Sequence, residues 1–255
     1  MASPALRVSP FFLILLGVTA VGGVFSVLGA SWGSSAAVIG GIFVLVVGGW
    51  AVSLCLHEYG HAIAAFRGGD RSVAAKGYLT LDIRRYTDVG YSFVLPLVIF
   101  LIGGLPLPGG AVWIQQGALR SKGWRSAVSF AGPLANLLLG IVLTVVVGAV
   151  PMPIPLAAGL SALALFQVVA FVLNMLPVPG LDGYGVLEPY LSRPAQELGA
   201  RVRPWAPLAL LAVLLFVPGV GGAFFSAAQS LYGAVGGNTS LAGAGYQALF
   251  FWRYL

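Results

Sequence analysis

The chain has 255 residues, of which 59% are hydrophobic and only 8% charged, with a formal net charge of +6. So little charge cannot cover the surface of a soluble domain, which leaves a polytopic membrane protein as the class. The basic residues fall in short segments between apolar runs, as expected for cytosolic loops. The positive charge therefore indicates contact with a lipid bilayer and no nucleic-acid partner.

Uncharged runs long enough to cross a bilayer are predicted at 11–30, 36–56 (helix continuing to 66), 127–150, 156–181 and 205–235. The run at 93–107 is shorter, because fifteen helical residues rise about 22 Å against a hydrocarbon core of roughly 30 Å. We predict that it enters the membrane and returns. The chain is then an all-α polytopic membrane protein with five to six transmembrane helices.

The charges favour this re-entrant path for 93–107. If the segment does not cross, Arg7 and the basic loops 67–92, 117–126 and 187–204 lie on one side of the membrane. The connections at 31–35 and 151–155, which carry no charge, lie on the other side. A crossing would divide the basic loops between the two sides, against the positive-inside rule.

Two segments outside these runs carry weaker patterns. The alternation GYLTLDI at 77–83 predicts a short strand or β-hairpin at the membrane surface. The tail 236–255 ends with aromatic residues beside Arg253, which predicts an interfacial anchor.

A metal-binding pattern, H-E-x-x-H, ends the second apolar run. His57 and His61 stand one turn apart on one helix face, so both imidazoles can reach one zinc ion, and Glu58 can act as general base toward a water. The alternative is a structural histidine pair that hydrogen-bonds between helices, with Glu58 ion-paired to it. That alternative does not explain why three polar groups lie together in an apolar span.

A third metal ligand must be an acid or a cysteine, because the chain has no other histidine. Cys55 is more simply a packing residue in its apolar run. Asp182 differs from the remaining acids, since it follows an uncharged run that Pro177 and Pro179 must break, and such a break opens room for a polar side chain. With 93–107 not crossing, the histidines and Asp182 fall on the same, cytosolic face. The other acids lie beside basic residues: Asp70, Asp82, Asp88, Glu188 and Glu197.

Two asparagines in apolar surroundings are further candidates. Asn136 lies in AGPLANLLLG at the start of the span 127–150, and Asn174 lies eight residues before Asp182. A buried amide must find partners, so either can bind a substrate backbone or support an oxyanion. A polar clamp between packed helices is the alternative for each.

Together, HEYGH on a membrane helix, GPLAN at a later span and NMLPVPGLDG resemble the site-2 protease family of zinc intramembrane metalloproteases. The resemblance covers about residues 36–190, and the last motif matches the family pattern N-x-x-P-x-x-x-L-D-G. It implies one Zn²⁺ per chain held by His57, His61 and Asp182, with Glu58 as the catalytic acid and base. Family members often carry a PDZ or CBS domain, and neither is found in this sequence, which resembles a compact form.

The resemblance further implies an integral, multi-pass protein of the cell membrane that cuts a single-span membrane protein substrate in or near its transmembrane segment, in regulated intramembrane proteolysis. We expect one domain over 1–255, with a peripheral helix at 11–30, a catalytic core at about 36–190 and C-terminal helices over 205–255. The β-hairpin or re-entrant segment is expected near the active site, and 77–83 and 109–115 are candidate edges for pairing with substrate.

Three other functions compete with this interpretation. A prenyl-protein processing protease would take a glutamate as third ligand, but Glu188 and Glu197 lack the E-x-x-x-D context of that class. An inactive membrane scaffold or metal-binding regulator would have no use for Glu58. A zinc transporter would need a polar path across the other half of the membrane, and none is marked.

Overall fold

The structure is a computed structural model that describes residues 8–86 and 112–253. Within these ranges the regular structure is helical and no strand is formed. The α-helices are α1 Pro10–Ser31, α2 Ser35–Gly68, α3 Ser72–Ala75, α4 Lys122–Ala149, α5 Ile154–Asn174, α6 Asp182–Leu187, α7 Arg193–Val202, α8 Ala206–Phe216, α9 Val220–Ala234 and α10 Thr239–Leu249.

Four of the described helices, α1, α2, α4 and α5, are long and apolar enough to cross a membrane, and a fifth span is possible if α7 and α8, bent by 67°, are counted as one. The all-α membrane class is confirmed, and the described residues give four spans, or five with the bent pair, against the expected five to six. The segment 93–107, and with it the predicted re-entrant path, lies outside the described residues.

α2 is the central helix of the described fold. Its 34 residues rise about 51 Å, more than the roughly 30 Å of a bilayer core. α1, α4 and α5 pack against it. The predicted peripheral helix at 11–30 is α1. It lies unusually close to α2, since a Cβ on Gly29 would be 2.6 Å from the backbone nitrogen of Val38 in α2. Small residues permit such backbone approach between membrane helices.

The predicted strand or hairpin at 77–83 is wrong. Tyr78–Thr80 forms one turn of 3₁₀-helix and Ile83–Arg85 another. Gly77 and Leu81 have positive φ of 75° and 55°, which turns the backbone away from an extended path. Tyr78, Leu79 and Leu81 are buried in the cluster under the end of α2, so their apolar character arises from loop packing.

The predicted span 205–235 is interrupted. α8 ends at Phe216 and α9 begins at Val220, because Pro218 cannot continue the helix and Gly219 takes φ 83°. The tail also differs from a simple interfacial anchor. Its helix α10 packs against α5, where a Cβ on Gly245 would meet the carbonyl oxygen of Ala158, and Phe250 is fully buried.

Candidate metal centre and active site

The H-E-x-x-H residues lie in the buried C-terminal half of α2. His57, Glu58 and His61 are 4%, 3% and 8% exposed. The two Nε2 atoms are 3.0 Å apart, as expected for side chains four residues apart on one helix face. The imidazoles therefore present one pair of nitrogens to the same point.

Asp182 completes this group from a distant part of the chain. Its Oδ2 lies 3.3 Å from Nε2 of His57 and its Oδ1 lies 3.4 Å from Nε2 of His61. The long helix α5 ends at Asn174, and the turn that follows uses Gly180 at φ 100°. Gly183 is also required, because a Cβ there would lie 2.6 Å from the carbonyl oxygen of Leu176.

α4 closes the group from the other side by an equally tight approach. A Cβ on Gly132 would meet Nε2 of His61 and would lie 2.7 Å from Nε2 of His57. A Cβ on Gly60 would lie 2.6 Å from the carbonyl oxygen of Ala131. Glycine at these two positions lets α4 lie directly against the imidazoles.

The second nitrogen of each imidazole is held by α4. Nδ1 of His61 is 2.7 Å from the carbonyl oxygen of Val128, and Nδ1 of His57 is 2.6 Å from Oδ1 of Asn136. The Nδ2 group of Asn136 in turn donates to Oε1 of Gln167, at 2.8 Å. Such partners fix the orientation of a metal-binding histidine.

Glu58 faces a cavity of about 200 Å³ beside the histidines. Its Oε2 accepts a hydrogen bond from the backbone N–H of Val112 at 3.2 Å. The cavity lining is His57, Glu58, His61, Val112, Ile114, Gln116, Val128, Ser129, Asn174, Gly180 and Asp182. Asn174 is 2% exposed, and in the described chain its buried Oδ1 makes no hydrogen bond. The cavity therefore combines the carboxylate of Glu58 with the amide of Asn174, whose oxygen can accept a hydrogen bond from a ligand.

The segment 112–115, the described part of the candidate edge 109–115, lies along this cavity with no strand assigned. Asp70, which is fully buried, accepts from the backbone N–H of Gln115 at 2.7 Å. Lys76 Nζ donates to the carbonyl oxygen of Trp113 at 2.9 Å. The segment is thereby anchored to the loop that follows α2.

The charge on Asp182 suits a ligand. Burial disfavours its ionised form, but the neighbouring imidazoles of His61 and His57 together hold the pKa of Asp182 well below its ordinary value. This shift favours the ionised form of Asp182, and the ionised carboxylate is the form that binds a metal.

These residues fit a zinc ion. One ligand atom from each of His57, His61 and Asp182 lies within 4.8 Å of the others. Two imidazoles and a carboxylate are ligands that zinc accepts, and three protein ligands leave a fourth position open, as in catalytic zinc sites. The fit is supported by the glycine of α4 that leaves space against both imidazoles.

The predicted site residues are thus brought together, with one difference in placement. Asn174 lies on the cavity, whereas both polar atoms of the Asn136 side chain bond within the protein, to His57 and Gln167. Sequence reasoning missed Gln167, Asp70 and the Val112 backbone. Gln167 carried a usable signal, since it is the only amide in the apolar run before Asn174, and a buried amide needs partners.

Comparison with known proteins places the chain in a family. Residues 42–157 match the model of Peptidase family M50. A Mycobacterium tuberculosis (strain H37Rv) protein named "Putative zinc metalloprotease Rip2" is 43% identical over 250 residues, which are 97% of this chain and 95% of that protein. The chain belongs to peptidase family M50. This is the family of the site-2 proteases, so the resemblance noted from the motifs is confirmed.

Two further relatives agree with this assignment. The protein of the same name from Mycolicibacterium smegmatis is 40% identical over 97% of this chain and 95% of its own length. "Putative zinc metalloprotease YwhC" of Bacillus subtilis is 33% identical over 54% of this chain and 64% of its own. No solved structure gave a match. The M50 chain is accordingly a zinc metalloprotease whose apolar helices make it an integral membrane protein.

Proposed function

We propose that this M50 chain is a zinc-dependent intramembrane endopeptidase that hydrolyses a peptide bond within or near the transmembrane segment of a single-span membrane protein. The observation that carries the proposal is the group of His57, His61 and Asp182, with Glu58 beside it, in a buried cavity at the end of a membrane-spanning helix. An inactive scaffold would not need a buried carboxylate at this place.

In this proposal His57, His61 and Asp182 hold the zinc. When bound, the ion acts as a Lewis acid that lowers the pKa of water and polarises the scissile carbonyl. Glu58 takes the proton from the attacking water and returns it to the leaving amine. The Val112 N–H fixes Oε2 of Glu58, so Oε1 is available for this proton.

Asn174 is proposed to bind the substrate at the reacting peptide. It is buried, it lies on the cavity, and its Oδ1 has no partner in the described chain. Its amide can donate to the carbonyl oxygen on which charge develops and accept from a backbone N–H. Asn136 supports the reaction from behind His57, because its amide is already bonded within the protein.

A substrate helix must unwind before its carbonyls can react, and the segment 112–115 can hold it extended. Trp113 and Gln115 bond through their backbone to Lys76 and Asp70. In the described chain the N–H and C=O of Ile114 make no hydrogen bond, and its side chain lines the cavity. Because successive residues of an extended chain point to opposite sides, Ile114 can pair with an added strand.

The orientation of the protein follows the charge distribution. The basic loops flank the end of α2 that carries the site, so we propose that the active site faces the cytosol and that the protein resides in the cell membrane. The helices that supply the site lie between 35 and 187, which fits a catalytic core at about 36–190 within one domain.

The test is cleavage of a panel of single-span peptides by the purified chain in detergent, with the cut positions determined by mass spectrometry. Cuts inside or next to the apolar segment are expected, and Glu58→Gln should abolish them. Cuts only in soluble tails would contradict the intramembrane assignment. Equal cutting by Glu58→Gln would contradict the assigned acid and base.

A further inference from the structure

A polar side chain of α5 lies behind the metal centre. Gln167 is 1% exposed in a helix that is otherwise apolar from Ala162 to Leu173. It does not line the catalytic cavity, and its Oε1 accepts from Nδ2 of Asn136. A buried amide in an apolar span is costly unless it is hydrogen-bonded, and here its partner is the residue that holds His57.

The two histidines differ in how their proton is placed. A carbonyl oxygen can only accept, so Val128 requires that Nδ1 of His61 carries the hydrogen. His57 instead meets an amide, which can present either an oxygen or an NH₂ group. Its Nδ1 carries the hydrogen only when Oδ1 of Asn136 faces it, as in the structure.

We propose that Gln167 is a positioning residue that sets the side-chain amide of Asn136 and thereby the tautomer of His57. Oε1 of Gln167 binds the NH₂ group of Asn136, which turns Oδ1 toward Nδ1–H of His57. Nε2 of His57 then has a free lone pair directed toward Nε2 of His61 and Asp182. This inference rests on the proposed role of His57 as a zinc ligand.

The experiment measures zinc affinity by chelator competition on the full chain in detergent, and so does not depend on activity. Gln167→Met keeps the length of the side chain but removes the acceptor. Affinity should fall about 10- to 100-fold, as for loss of other partners of metal-bound histidines. Gln167→Glu keeps an acceptor and should stay within about twofold of wild type.

A rescue separates positioning from a general effect on the fold. Asn136→Asp offers Nδ1 of His57 an oxygen acceptor in either orientation of the carboxylate. Gln167 is then no longer needed to orient the side chain at position 136. In that background Gln167→Met should cost no more than about twofold. Ser161→Ala, at a buried position of the same helix α5, is the control and should bind zinc as wild type does.

The outcomes are distinct. Wild-type affinity in Gln167→Met, an equally large loss in Gln167→Glu, or no rescue by Asn136→Asp would each overturn the proposal. If Gln167→Met does not fold, the zinc affinities of Gln167→Glu and of the double variant Asn136→Asp with Gln167→Met test the proposal. A wild-type chain that retains no zinc would instead contradict the proposed function, and the inference would fall with it.

Discussion

Gly132→Ala is predicted to damage the metal centre more than its single added methyl group suggests. The new Cβ would lie 2.7 Å from Nε2 of His57 and 2.6 Å from Cε1 of His61. Ordinary contact begins at 3.4 Å, so relief of the contact with Cε1 of His61 alone requires the imidazole and α4 to separate by about 0.8 Å. Zinc ligand distances tolerate only about ±0.2 Å.

The size of the effect can be worked from this overlap. Inserting one methyl into a tightly packed position costs about 1–3 kcal/mol. If relief comes from displacing the ligands, that energy appears as a loss of zinc affinity of about 5- to 150-fold, since each 1.4 kcal/mol is a factor of ten. Cleavage at limiting zinc should fall by the same factor.

The assay is chelator competition on purified wild type and variant, followed by cleavage at limiting and at saturating zinc. Gly148→Ala on the same helix is the matched control, because a Cβ there would meet nothing within 4 Å. It should leave zinc affinity and cleavage unchanged. Wild-type affinity in Gly132→Ala would refute the argument that α4 is packed directly against the ligands.

Three other predictions concern the surroundings of the site. Asp70→Ala removes the acceptor of the Gln115 N–H; we expect KM to rise more than kcat falls, with about 1–3 kcal/mol lost from stability, and an unchanged KM would argue against segment 112–115 as a substrate edge. Asn174→Ala should lower kcat while zinc affinity stays at the wild-type value, so a parallel loss of zinc would show a structural role instead. Hydrogen bonding from Arg84 lowers the pKa of Asp82 below its ordinary value. This carboxylate therefore stabilises the fold above the ordinary pKa, and the contribution is lost as the pH falls through the lowered pKa. Asp82→Asn should therefore lower the unfolding temperature at pH 7 but make no difference at strongly acidic pH, and a constant difference at all pH values would contradict the assignment.

Sequence pattern was most informative where the chemistry is local. The i, i+4 spacing of His57 and His61 needs only a helix to bring the imidazoles together, and the structure has them on one face of α2. Asp182 is far along the chain, yet the prolines before it and the distribution of charge among the loops predicted the same membrane face. The structure brings Asp182 to both imidazoles.

Pattern was misleading where several packings share one sequence signal. Alternation in 77–83 is typical of a strand, but Gly77 and Leu81 adopt positive φ, and Leu79 and Leu81 are buried in the cluster under α2. The apolar run 205–235 was long enough to span, although Pro218 and Gly219 divide it into two helices. In both segments a glycine or proline, rather than the hydrophobic period, decides the backbone path.

The partners of the site residues could not be read from the sequence, because they depend on how distant helices face one another. Gln167 meets Asn136 only when α5 packs on α4, and the Val112 N–H bonds to Glu58, which lies 54 residues earlier in the chain. A buried polar side chain signals that a partner exists. Which partner it finds is determined by packing.

The central claim, a zinc held by His57, His61 and Asp182 with Glu58 as acid and base, is tested most directly by metal content and cleavage measured together. Wild type, Glu58→Gln and Asp182→Ala would be purified in detergent and incubated with single-span peptides. We expect one zinc and cleavage for wild type, one zinc without cleavage for Glu58→Gln, and weakened zinc binding for Asp182→Ala. Undiminished zinc affinity in Asp182→Ala, or cleavage by Glu58→Gln, would contradict it.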